Sequence, residues 1–274
     1  MRVQDLGRLK GPVLLFGGPY SNLHATEALF LDAKVTGFRP DNSTMICTGD
    51  IVAYCGYPSE TVAVIRQSGC AVVAGNCEKQ LAAGAFDCGC GFEEGSACDL
   101  LSASWYPYAA AHIGQEDRVW MADLPDVAVF EHKGRRYAVI HGGVSDVSRF
   151  LWPTSPEVDF LEEIALIERE FGRVDGVVAG HCGLPFVRQI GEVEWINAGV
   201  IGMPANDGYA STRFAVLGYN GVEMRELHYD HQSAHDAMVA AGLTQGYHDG
   251  LLYGYWPSEE VLPLDLRVSS LARG

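Results

Sequence analysis

Thr44-Met45-Ile46-Cys47-Thr48-Gly49-Asp50-Ile51-Val52 is the stretch whose reading decides the fold. Its apolar run ends in Thr48-Gly49-Asp50, and it reads as a buried strand that delivers a carboxylate to its C-terminal tip. In open α/β sheets ligands bind at that edge, because loops leaving the strand tips line a crevice there. Gly49 has no Cβ, so the chain can turn sharply and another group can approach closely. Taken alone, Asp50 reads as a turn former or helix cap.

Three more stretches repeat the grammar. Ala71-Val72-Val73-Ala74 runs into Gly75-Asn76, Tyr137-Ala138-Val139-Ile140 into His141-Gly142-Gly143, and Val177-Val178-Ala179 into Gly180-His181. Each is a β-type run followed by a metal-capable side chain beside glycine. Asp50, Asn76, His141 and His181 together make a mixed oxygen and nitrogen set suited to Zn, Mn or Fe. The expectation is that all four converge on one metal site at the strand tips.

Working outward, 274 residues suffice for one large core, and 48% hydrophobic with 20% charged residues is ordinary for a globular chain. A single domain over 1–274 is expected, with 230–274 as a closing helix and an extended arm packed on it. The formal charge of −16, from 19 basic and 35 acidic residues, argues against unaided binding of nucleic acid or an anionic membrane. It leaves room for a phosphorylated small molecule, since a metal ion reverses the local field. No apolar window reaches the length of a membrane span, and the first residues lack the apolar core of a signal peptide. Eight cysteines in a chain of this length fit a reducing, cytoplasmic setting better than a disulfide scaffold. Cys47 and Cys70 read as core fillers. Cys88, Cys90 and Cys98 fall in and just after a glycine-rich break at 85–96, which reads as a surface loop, with thiolate ligands for another metal as the alternative.

In chain order, strands are predicted at 11–17, 44–48 and 71–74, with helices after Asn22, Pro58 and Glu78 and across 96–112. Later come a hairpin at 127–140, a helix over 156–171, and strands at 174–179, 186–190, 194–196, 214–219 and 222–228. Early alternation of helices and strands, followed by hairpins, predicts two mixed sheets packed face to face with helices outside, an α/β/β/α sandwich.

With these motifs in order, the chain resembles the calcineurin-like metallophosphoesterases over most of residues 12 to 230. That family's pattern runs D-x-H, G-D, G-N-[HC]-[DE], H-G and G-H-x-H. Gly49-Asp50, Gly75-Asn76-Cys77-Glu78, His141-Gly142 and Gly180-His181 match it. Asn197-Ala198-Gly199-Val200-Ile201-Gly202-Met203-Pro204 is similar to the family's N-P-G-S-V-G-x-P segment. The resemblance implies the four-layer sandwich and hydrolysis of phosphate esters at a two-metal centre. The departures are equally plain. The family's first Asp falls on Gly18, its following His on Tyr20, and the last His of G-H-x-H on Gly183. One metal's set, Asp50, Asn76, His141 and His181, is complete, while the other has lost its ligands.

Two metals about 3.5–4 Å apart clamp both oxygens of an in-line displacement. One metal loses half that clamp, and Cys77 stands where many members carry the His that protonates the leaving group. A thiol is the poorer acid for that purpose near neutral pH. Candidates to compensate are Tyr20 and Glu78, with His24 and Cys182 behind them. Each has a plain structural role as its alternative. The expectation is a slow phosphoesterase with one divalent transition metal (Mn, Fe or Zn), a second ion being weakly held or absent. The alternative is an inactive member that binds a metal and a phosphate-containing ligand. A bare scaffold for protein contacts fits the intact ligand set least. Assembly into homo-oligomers is left open.

Overall fold

The computed structural model describes residues 1–40, 44–91 and 95–268, save the side chains of 97–99. The strands are β1 (Val3–Leu9), β2 (Val13–Phe16), β3 (Met45–Cys47), β4 (Ala71–Val72), β5 (Val127–His132), β6 (Arg135–Val139), β7 (Gly176–Ala179), β8 (Phe186–Ile190), β9 (Val193–Asn197), β10 (Thr212–Gly218) and β11 (Gly221–Leu227). The helices are α1 (Leu23–Thr36), α2 (Pro58–Ser68), α3 (Asn76–Ala83), α4 (Ala97–His112), α5 (Gln115–Asp123), α6 (Glu157–Phe171), α7 (His231–Ala240) and α8 (Tyr247–Tyr253). One sheet runs β11-β10-β2-β3-β4 and the other β1-β5-β6-β7-β9-β8.

The period-2 geometry of a strand sorts side chains into layers. In β2, Val13 and Leu15 join Ile46, Phe130, Val139, Val178 and Ile196 between the sheets. Leu14 and Phe16 point the other way, with Met45 and Cys47, onto Leu29 of α1 and Val62 and Ile65 of α2. On the far side, Phe160, Ile164 and Ile167 of α6 cover Val127, Ala138, Val177 and Trp195. This is the α/β/β/α sandwich anticipated from the sequence.

β2, β3 and β4 are parallel to one another, as are β6, β7 and β9. A parallel bridge between Gly17 and Val200 joins the two groups at their C-terminal ends. Six strand tips therefore open onto one rim, which is where a ligand crevice forms.

The structure corrects the sequence reading in three places. β1 was not anticipated: it is an edge strand with only Leu9 buried, so it lacks the apolar signal of a core strand. Residues 85–91 do not form a plain surface loop, since Cys88 and Cys90 are buried and joined in a disulfide. The Cys98 side chain lies outside the described residues. The C-terminal arm is not extended throughout: it contains α8, and it buries Leu251 and Leu262. Among the described residues no helix is long and apolar enough to cross a membrane.

Candidate metal centre

The rim is built from backbone that few residues tolerate. Gly49 turns the chain at φ 95°, and Asp50 itself sits at φ 54°, a left-handed conformation that costs a non-glycine residue energy. Glu78 holds it there. Its carboxylate accepts from the backbone N–H of Asp50 at 2.7 Å, Ile51 at 2.8 Å and Gly75 at 2.9 Å. A Cβ on Gly75 would run into Asp50 Oδ1, so glycine is what lets the Asp50 carboxylate approach the start of α3. His181 is left-handed as well, at φ 46°. These strained positions are where a functional constraint is expected to reside.

The four side chains predicted from the sequence come together in the buried interior of the rim. His141 Nε2 lies 3.2 Å from Asp50 Oδ2, 3.1 Å from Asn76 Oδ1 and 3.0 Å from His181 Nδ1. Ligand atoms of Asp50, His141 and His181 all fall within 4.8 Å of one another. The orientation of each ring and amide is set from behind. His141 Nδ1 donates to the Thr48 carbonyl at 2.6 Å, so in the neutral imidazole the Nε2 lone pair faces inward. Asn76 Nδ2 donates to the Cys88 carbonyl at 2.9 Å, which leaves Oδ1 facing inward. A carboxylate oxygen, an amide oxygen and two imidazole nitrogens thus converge with no fixed donor between them, which is the arrangement a cation satisfies. The residues present therefore fit a divalent metal.

The electrostatics favour a positive charge at this point of the rim. Burial alone would push Asp50 up, yet the imidazole of His141 outweighs it and holds the carboxyl below its ordinary value. Burial pulls His141 down, and Asp50 more than reverses that, raising it. Burial and then His141 push His181 down to about 3, so this ring is neutral and ready to ligate.

The three positions that depart from the family pattern are filled by neighbours. A Cβ on Gly18, at φ 44°, would stand 2.6 Å from both Tyr20 Cζ and Val200 Cγ1. Tyr20 packs edge-on against Tyr54 with centroids 4.8 Å apart. Trp256 lies over Gly183, 3.4 Å from where its Cβ would be. Burial, and after it the Asp50 charge, raises Tyr20 well above its ordinary value, so it keeps its phenolic proton.

Cys77 sits in the core under α3, where burial and then Asp50 raise its thiol well above its usual range. Burial and then Asp50 also push Glu78 up to about 7, and its bonds run to the backbone. Cys182 lines the cavity beside Gly183, its thiol pushed up to about 12 by burial. His24 lies on α1 against Tyr57 and does not line the cavity.

That cavity, of ≈ 60 Å³, opens above Asp50 and His181 and is walled by Tyr20, Tyr54, Phe150, Trp152, Tyr247 and Trp256. Its described lining contains no lysine or arginine. Sequence reasoning missed most of this wall. Phe150 lies 4.3 Å from the His181 ring, Tyr247 stacks on Tyr54 at 4.1 Å, and Trp256 is anchored by its indole N–H on the Pro204 carbonyl at 2.8 Å. No local pattern marks such residues, since each is brought in from a distant segment. Thr48 was quoted only as part of a strand, yet its carbonyl orients His141, and a Cβ on Gly17 or Gly180 would strike its hydroxyl.

Comparison with known proteins agrees with this fold. The family profile described as calcineurin-like phosphoesterase superfamily domain matches residues 19–221. An uncharacterized protein of Methanocaldococcus jannaschii is 23% identical over 265 residues, covering 90% of this chain and 99% of the relative. Among solved structures, a hypothetical protein from Pyrococcus horikoshii superposes with a TM-score of 0.69 at 17% identity, over 89% of this chain and 98% of that one. A metallophosphoesterase from Sphaerobacter thermophilus superposes with a TM-score of 0.65 at 20% identity, over 90% of this chain and 100% of that one. At these identities the likeness concerns the fold.

Proposed function

The chain belongs to the calcineurin-like phosphoesterase superfamily, and from that premise we propose that it is a metal-dependent phosphoesterase that hydrolyses a small phosphorylated substrate slowly with a single ion. The observation that carries this reading is the inward convergence of Asp50, Asn76, His141 and His181. A divalent ion held there supplies Lewis acidity toward a phosphoryl oxygen and activation of water. Thr48 and the Cys88 carbonyl keep His141 and Asn76 turned inward, and Glu78 fixes the turn that presents Asp50. The aromatic walls exclude bulk water, which strengthens every charge interaction inside. Tyr20 holds its proton beside Asp50 at the cavity wall, where it is placed to donate to a leaving oxygen. Cys77 and Glu78 do not line the cavity, so of the three Tyr20 is the one within reach of a bound ester. With no lysine or arginine in the described lining, an ester carrying one negative charge at phosphorus fits better than a polyphosphate.

The test is metal analysis of the purified protein, followed by hydrolysis of bis(p-nitrophenyl) phosphate with added Mn, Fe or Zn. The expected result is one ion per chain held at the rim, lost in Asp50→Asn, and metal-dependent turnover that the same change abolishes. A second reading, an inactive member that binds a metal and a phosphate-containing ligand, is favoured by one observation: Tyr20, Val200 and Trp256 occupy or overlie the space beside Gly18 and Gly183. Saturable phosphate binding without turnover under every metal would select it.

A further inference from the structure

A second group of ligating side chains lies away from the rim, where α7 and α8 pack together. His235 projects from α7, and His248 and Asp249 from the first turn of α8. One ligand atom from each falls within 4.8 Å of the others. The two imidazole rings lie nearly parallel, 21° apart with centroids at 5.5 Å. Both are largely covered, with side chains 17% and 12% exposed, while Asp249 is 57% exposed and opens the group to solvent. His235 Nδ1 meets Asp236 Oδ1 at 2.9 Å. A carboxylate on one imidazole nitrogen sets the tautomer and makes the other nitrogen a better metal ligand. His248 Nε2 lies 3.7 Å from Asp249 Oδ1, too far for a hydrogen bond and close enough for one ion to bridge them.

We propose that His235, His248 and Asp249 form a second divalent-metal site, separate from the rim, that clips α8 to α7. Two imidazoles and a carboxylate suit Zn²⁺ or a neighbouring late transition ion, with water completing the shell. The formal charge of −16 draws cations toward the surface in general. The clip has a structural consequence. Tyr247 precedes His248 directly, stacks on Tyr54 and walls the cavity above Asp50. An ion between α7 and α8 therefore braces one wall of the functional pocket from outside, without touching the pocket. The cost is local: the Gly246 N–H, 3.3 Å from His248 Nδ1, must give up that acceptor when Nε2 ligates. This proposal does not depend on the phosphoesterase reading.

Equilibrium dialysis of the full chain against Zn²⁺, with metal counted by mass spectrometry, compares wild type with His235→Asn/His248→Gln. The variant leaves Asp50, Asn76, His141 and His181 untouched. The proposal expects one zinc equivalent fewer per chain in the variant, and at least a tenfold weaker uptake of that equivalent in Asp249→Asn. Equal stoichiometry and affinity in all three proteins would overturn it. Hydrogen exchange tests the brace: Zn²⁺ should slow the amides of α8 in wild type and not in the double variant. Unchanged α8 exchange in wild type at saturating zinc would overturn that part.

Discussion

Adding a single methyl at Gly18 probes whether the space beside it is vacant or filled. In Gly18→Ala the new Cβ must sit 2.6 Å from both Tyr20 Cζ and Val200 Cγ1, closer than carbon atoms pack, on a backbone at φ 44°. The left-handed conformation costs an alanine about 1 kcal/mol. Overpacking in a tight core costs about 1–3 kcal/mol more, so the single variant should lose about 2–4 kcal/mol in total. Tyr20 supplies two of the three close atoms. In a Tyr20→Ala background the same methyl should therefore cost at least about 1 kcal/mol less, a coupling typical of residues in contact. Urea denaturation of wild type, both single variants and the double variant closes the cycle, with free energies from linear extrapolation. A coupling below about 0.5 kcal/mol, the ordinary limit of additivity, would refute the claim that the Tyr20 ring occupies the side-chain space of residue 18. The result also bears on rebuilding the lost ligand positions. Gly18→Asp, Tyr20→His and Gly183→His would supply the ligand types of the family pattern, but a histidine at 183 must adopt φ 76° with its Cβ 3.4 Å from Trp256.

Other outcomes follow from the same geometry. Gly75→Ala drives a methyl into Asp50 Oδ1 and within 2.6 Å of the Asp50 nitrogen; metal retained after dialysis should fall with an affinity loss of roughly 10–100-fold, the usual effect of disturbing a ligand's support, and wild-type metal content would contradict this. Chelation should lower the melting temperature of the metal-loaded protein, since an ion at a hundredfold excess over Kd stabilises by about 2.7 kcal/mol, and most of that shift should vanish in His141→Ala, as read by calorimetry. Burial, more than the opposing bond to the Gly11 carbonyl, holds His132 below its ordinary 6.5. A depressed histidine favours its neutral form when folded, so its contribution is complete above pH 6.5 and is lost as pH falls from 6.5 through the folded value. NMR titration should place its midpoint below 6.5, and His132→Gln should flatten this part of the stability profile.

The ligand set was legible because each member announces itself locally. A β run breaking at glycine beside Asp50, Asn76, His141 or His181 is a pattern confined to a few residues, and parallel strands bring such tips to one rim without further information. The layered fold was legible for a similar reason, since Leu14 and Phe16 alternate with Val13 and Leu15 in the order that two buried faces require. What escaped is what depends on distant partners. β1 pairs through its backbone with β5, so its exposed side chains carry no trace of the strand. Trp256 and Tyr247 are ordinary aromatics until the chain returns them to Gly183 and Tyr54. Glu78 does cap α3 through the Gly75 amide, one of its plain structural readings, but no local pattern shows that the same carboxylate also takes the amides of Asp50 and Ile51 from another loop.

The pocket wall also has a chronology. Its lining runs from Tyr20 to Val261, so nearly the whole chain must be made before the cavity exists. A ribosome moving at about 5–20 residues per second takes roughly 4–15 s to pass from His181 to Trp256. During that interval the four ligands are already synthesised, while Tyr247, Trp256 and Val261 are not. Once the arm closes over Gly183, exchange must pass through the aromatic-walled cavity. If the rim holds an ion that enters before the arm closes, a pulse of one metal during cell-free synthesis should persist through a later chase with another.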